Sequence, residues 1–228
     1  MVLAAGDANA PGARHAWEEL ARVYWRPLYW HVRRRGGSHS DAQDLVQAFF
    51  VRLLEKPVIQ HAQRGRGRFR TFLLAALDNF LANEHDRSVA LKRGGGVELR
   101  PLDFSESELD FAPEPASPGK PLEQLFDRDW AHAVLDKSLA QLGAEFARDG
   151  KAASWEKLRP FLFRGPEPGE YEATARQLGI SDALMRKAVS RLRGRLRLLA
   201  RSEIARTVAT VSEVEAEYQH LVNVISGC

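Results

Sequence analysis

Cations gathered on one helix face are the residues of this chain best placed to do chemistry. Residues 174–201, TARQLGISDALMRKAVSRLRGRLRLLAR, read as a short helix, a tight turn at Leu178-Gly179-Ile180 and a long second helix capped at Ser181. Ala175 and Gly179 lie four apart, a small residue where two helices cross and then a glycine tolerant of a left-handed turn. From Met185 the apolar residues recur at Val189, Leu192, Leu196 and Leu199, a single helical stripe. The other face carries Arg186, Lys187, Arg191, Arg193, Arg197 and Arg201. A helix packed on one side and cationic on the other suits the major groove of DNA. A solvated surface helix, its arginine stems laid along apolar surface, shows the same pattern. The small residue, the glycine turn and the cap favour a DNA-binding helix-turn-helix. Ser181, Asp182, Ala183, Arg186, Lys187, Ser190 and Arg191, in the first half of the second helix, are then the candidate reading surface. Lys187 and Arg191 are one turn apart and suited to joining a base edge to a phosphate.

A second set lies near the N-terminus. Over 41–54, DAQDLVQAFFVRLL, the residues Leu45, Val46, Phe49 and Leu53 point inward and leave Asp41, Asp44 and Gln47 on an outward strip. Two carboxylates beside an apolar ridge suit docking on a basic partner; acids at a helix start also simply suit its dipole, and Asp41 fits that reading well. Residues 60–68, QHAQRGRGR, form a basic, glycine-containing loop, and 60–70 hold Arg64, Arg66, Arg68 and Arg70 without an acid. Asn79 and Asn83 lie one turn apart just beyond.

Nothing in the chain suggests catalysis, a cofactor or a metal. The seven histidines are scattered without a His-x3-His pair, and no glycine-rich phosphate loop follows a strand. A single cysteine, Cys228, excludes an internal disulfide framework. The N-terminus lacks the basic and apolar regions of a signal peptide, and no 18-residue apolar run exists, so a cytoplasmic protein is expected.

The elements that position these residues read as all-α. A first helix over 15–36 stops at Gly36-Gly37, with Pro27 expected to bend or break it. A second runs from a cap at Ser40 to Glu55, and a third over 69–92 ends at Gly94-Gly95-Gly96. Phe69, Phe72 and Phe80 in that third helix are read as core. Residues 97–120 hold four prolines and mostly acids, with no period: a flexible acidic linker. Helices resume from Pro121 to about Arg148, then over 154–163, followed by a Gly/Pro loop at 165–169, the helix-turn-helix, and an amphipathic stretch over 211–225. That last stretch is read as a lid on the C-terminal domain, with a regulatory contact as the alternative. Two small helical domains, 13–96 and 121–228, are thus expected on either side of a linker at 97–120. Net charge is only +3, but 181–201 holds seven bases and one acid while 98–119 holds six acids and one arginine. Such segregation suits a chain that grips nucleic acid at two places and avoids it between them.

The runs DAQDLVQAFFVRLL at 41–54 and RGRFRTFLLAALDNFLANEHDR at 66–87, followed by MRKAVSRLRGRLR, resemble the extracytoplasmic-function group of bacterial sigma factors, the minimal sigma-70 relatives. The resemblance covers about 15–96 and 121–207; RSEIARTV and the long spacing at 148–170 are similar to a subgroup. It implies that Asp41, Asp44 and Gln47, with Leu45 and Ala48 beside them, dock on core RNA polymerase at the β′ clamp, β being the other subunit contacted. It further implies that Arg64, Arg66, Arg68, Arg70, Asn79 and Asn83 hold the melted −10 element, which needs cations for the backbone and a pocket for an unstacked base. Phe72 falls where many members carry tryptophan. The second helix of the helix-turn-helix would read the −35 element, with Arg193, Arg195, Arg197 and Arg201 on phosphates or in intramolecular ion pairs. The linker would pass through the RNA exit path, where acids mimic nucleic acid, or serve as a plain spacer. Promoter DNA, core polymerase and often an anti-sigma factor are the partners the family implies. A stand-alone helix-turn-helix regulator with a helical sensing domain is the rival, and it leaves the strip at 41–47 and the basic loop without a purpose.

Overall fold

A computed structural model describes residues 13–55, 68–91, 119–208 and 210–227, and among them every regular element is helical. Helix α1 is Ala13–Arg34, α2 His39–Glu55, α3 Phe69–Leu91, α4 Leu122–Arg148, α5 Ala152–Leu158, α6 Glu170–Leu178, α7 Asp182–Ala205 and α8 Val211–Ser226, with one 3₁₀ turn at Arg159–Phe161. Among the described residues no helix is long and apolar enough to cross a membrane, and no group of three or more His, Cys, Asp or Glu could hold a metal ion.

The described chain forms two compact units. One comprises 1–133 with 204–228, the other 134–203. This partition differs from the domains expected at 13–96 and 121–228, because residues on both flanks of the second domain pack with the N-terminal helices. Leu125, Phe126 and Trp130 of α4 and Tyr218 and Leu221 of α8 are buried. Arg34 of α1 forks onto Asp129 of α4 at 2.5 and 3.1 Å, a bidentate pair with both side chains under 10 % exposed. Arg206 reaches Glu19 of α1 at 2.6 Å. The stretch over 211–225 is therefore no lid on the C-terminal domain; it belongs to the unit of α1, α2 and α3. The linker expected at 97–120 lies outside the described residues up to 118.

Local chemistry explains the ends of the elements. Helix α1 continues through Pro27, which is buried, and stops before Gly36 at φ +94°. Helix α2 is capped by Ser38 rather than Ser40: Ser38 Oγ accepts from Asp41 N at 3.1 Å, and Ser38 N donates to Asp41 Oδ2 at 3.3 Å. That reciprocal box satisfies two of the donors that a helix start leaves open.

In the second unit the apolar stripe anticipated on α7 is the core. Met185, Val189, Leu192, Leu196 and Leu199 are all buried, together with Leu142, Trp155, Leu158, Phe161 and Ala175. Gly143 lets Trp155 close on α4, since a Cβ there would stand 3.2 Å from the indole nitrogen. Gly179 takes φ +66° between α6 and α7, and its successor Ile180 donates its N–H to Ala175 O at 3.0 Å. Ser181 then caps α7, its Oγ accepting from Leu184 N at 3.3 Å.

Candidate functional site

All five residues expected to meet the polymerase are exposed or half-buried. Asp41 and Asp44 are exposed, and Leu45, Gln47 and Ala48 are half-buried, while Ala42, Val46, Phe49 and Leu53 fill the core beneath. Leu45 thus borders the strip instead of pointing inward. The two carboxylates are not equivalent. Asp41 is committed to the cap, where it also receives the Ser38 hydroxyl at 2.6 Å. Asp44, nearly a turn further on, takes no part in that cap.

On another face of α2 a cavity of about 310 Å³ opens between α2 and α3, lined by Phe49, Arg52, Leu53, Phe72, Ala75, Ala76, Asn79, Phe80 and Asn83. It is small for a ligand cleft but apolar at its base with a few polar groups at its walls. Asn83 Nδ2 donates to Asn79 O at 2.6 Å, which holds that amide over its own helix. The Arg52 guanidinium lies 5.8 Å from the centre of the Phe80 ring. Both asparagines singled out in the sequence thus share one pocket. Phe72 is half-buried and forms part of its wall, with its ring tilted against Phe69 at 6.3 Å between centroids. Arg52 was not foreseen, because it sits on α2, outside the loop that drew attention by charge.

The arginines divide. Arg64 and Arg66 lie outside the described residues. Arg68 is exposed, and Arg70 is not. The Arg70 side chain is 3 % exposed, donates from Nε to Asp127 at 3.0 Å and from Nη1 to Glu217 at 3.1 Å, and lies over Trp130 at 5.0 Å. Burial lowers its pKa, opposed by the two carboxylates. Its expected role on the −10 strand is therefore corrected: in this arrangement Arg70 joins α3 to α4 and α8. A local sequence window shows a cation but not the distant acids that enclose it.

On α7 the first turns face solvent. Ala183, Lys187, Ser190 and Arg191 are exposed, as is Arg186. Arg186 is held by Asp182 at 2.9 Å and lies 5.5 Å from the Tyr171 ring centre, so these two candidates are engaged with each other. Ser181 serves as the cap. Further along, Arg193 donates to the carbonyls of Phe161, at 2.6 and 2.9 Å, and Arg164, at 2.7 Å, and Arg195 forks onto Glu145. That fork also lowers the Glu145 pKa. Both therefore make intramolecular bonds, one of the two roles anticipated for them, and Lys187 with Arg191 remains as the cationic pair of the outward face.

Residues 20–88 match the family model of sigma-70 region 2. The matched span contains the α2 strip and every residue of the pocket, and it ends before the second unit begins. The match covers under a third of the chain and shows a region 2-like segment; in sigma factors this region binds core RNA polymerase and promoter DNA. No characterised protein and no solved structure matches the chain.

Proposed function

We propose that this chain is a sigma factor of the extracytoplasmic-function type, which joins core RNA polymerase in the cytoplasm and directs it to a two-part promoter. The observation that carries the reading is the region 2 match across a surface bearing both accessible Asp44 and an asparagine- and phenylalanine-lined pocket. In this reading Asp44, Leu45, Gln47 and Ala48 dock on the polymerase clamp, with Asp41 holding the start of their helix. The pocket receives a base unstacked from the −10 segment. Phe72 supplies a ring face, Asn79 and Asn83 supply amides for its edge, and Arg68 with Arg64 and Arg66 supplies charge for the backbone. Melting needs no bond to be made or broken; binding energy for the open strand suffices. The helix-turn-helix of α6 and α7 places Lys187 and Arg191 in the major groove of the −35 element, with Ala183 and Ser190 close enough to touch bases.

The test is transcription. Core polymerase is incubated with a promoter library, with and without the purified full-length protein, and the transcripts are sequenced. A set of new start sites sharing two sequence elements is the expected result. An unchanged transcript set across the library rejects the reading.

A further inference from the structure

Helix α8 is closed at both ends by its own residues. Thr210 and Glu213 close its start reciprocally, with Glu213 N donating to Thr210 Oγ1 at 3.4 Å and Thr210 N donating to Glu213 Oε2 at 2.9 Å. Gly227 ends it at φ +72°. Tyr218 and Leu221 of this helix are buried and Val214, Val222 and Val224 half-buried, whereas Val211 is 88 % exposed.

Ionic contacts join α8 to the basic end of α3. Glu217 Oε2 accepts from Arg70 Nη1 at 3.1 Å. Its Oε1 lies 3.1 Å from Arg68 Nε but lacks hydrogen-bonding geometry there. Arg68 also stands 3.2 Å from His220 Nδ1, and His220 Nε2 faces Asp127 at 2.8 Å. Burial raises the Glu217 pKa, with Arg70 and then Arg68 opposing the shift. Desolvating such a pair offsets most of its Coulomb gain, so the contact fixes the position of α8 without making it tight. Arg70 keeps Asp127 if α8 leaves. Arg68, half exposed on the solvent side, is the cation that α8 withholds.

We propose that α8 is an internal competitor of promoter DNA: the Glu217 carboxylate occupies Arg68 where a phosphate of the melted strand binds, and strand binding displaces the helix. This rests on the −10 reading above. The Glu217 carboxylate neutralises Arg68 without taking its donors, whereas a phosphate diester bonds them directly and has the advantage of its neighbours on the strand. A self-capped helix with only two fully buried apolar side chains can leave and return without unfolding the unit beneath it.

The probe is a degenerate single-stranded DNA dodecamer, used with the full-length chain. Amide hydrogen exchange is followed over 211–226 with and without the strand, and affinity is measured for the wild type, Glu217→Gln, Arg68→Gln and the double variant. Exchange in α8 should quicken when the strand binds. Glu217→Gln should bind roughly tenfold tighter, a gain absent when Arg68→Gln is also present. Loosening of the fold would not depend on Arg68 in that way. A strand that binds while α8 keeps its protection, with no gain from Glu217→Gln, overturns the competitor and leaves the −10 reading standing. If no form of the protein binds the strand, the −10 reading itself fails and the competitor fails with it.

Discussion

Asp41 and Asp44 are three residues apart on α2 and do different work. Asp41 closes a reciprocal cap with Ser38, so Asp41→Ala should cost about 1 kcal/mol of stability in chemical denaturation. Asp44 is exposed and absent from the cap, so Asp44→Arg should leave the fold intact, weaken capture of core polymerase and spare binding of an isolated −35 duplex. Loss of both activities together would point to misfolding or to a different role for the strip. His31 supplies a pH test. It is buried between α1 and α3, bonds Asp78 at 2.8 Å, and has Phe126 of α4 edge-on. Burial pushes its pKa below 6.5, against the pull of Asp78, with Arg35 lowering it further and Glu123 opposing. The folded state thus takes up its proton later than the unfolded chain, so the stability present above pH 6.5 falls as pH drops below that value. His220 is shifted in the same direction, first by burial and then by Arg70. Unfolding free energy measured between neutral and mildly acidic pH should therefore decline, and His31→Gln should flatten part of the slope even if it lowers the starting value. An unchanged slope would show that His31 does not titrate across unfolding.

At the scale of elements, the helices were legible because their apolar periodicity is local. The stripe from Met185 to Leu199 and the turn at Gly179 follow from spacing alone and match the structure closely. What sequence could not show were pairings between distant segments. Arg70 and Glu217 are far apart in the chain, and no window around either reveals that each buries the other. Likewise Arg52 joins the pocket only because α2 crosses α3, and Ser38 outcompetes Ser40 for the cap because Asp41 is correctly placed to reach back to it. The turn between α6 and α7 makes a sharper prediction. A Cβ at Gly179 would meet nothing within 4 Å, so steric crowding is no obstacle, but φ +66° is costly for any L side chain. Gly179→Ala should lower the stability of the second unit by about 1 kcal/mol, and Leu192→Ala, which opens its core, by about 3 kcal/mol. Denaturation followed at Trp155, which packs in that core, reads both. A Gly179→Ala variant as stable as wild type would mean that the turn relaxes out of its left-handed geometry.

In the proposed reading the whole molecule binds through two surfaces, the pocket side of the first unit and the outward face of α7, each of modest strength and strong only when both engage one promoter. The first contact then holds the second at a high effective concentration, worth about 10²–10⁴ in affinity when the geometry allows both. Lys187→Ala with Arg191→Ala should therefore cost far more on a two-part promoter recovered from the library than on a strand carrying the −10 segment alone, where it should change nothing. The same promoter with its −35 half scrambled should fall to the affinity that the double variant shows, and combining both changes should add no further loss. That non-additivity separates linkage from general electrostatic attraction, in which each removed cation weakens every DNA alike and the losses sum. Equal losses on both DNAs, adding when combined, would mean that α7 contributes charge rather than recognition. Salt titrations on the two DNAs decide between the outcomes.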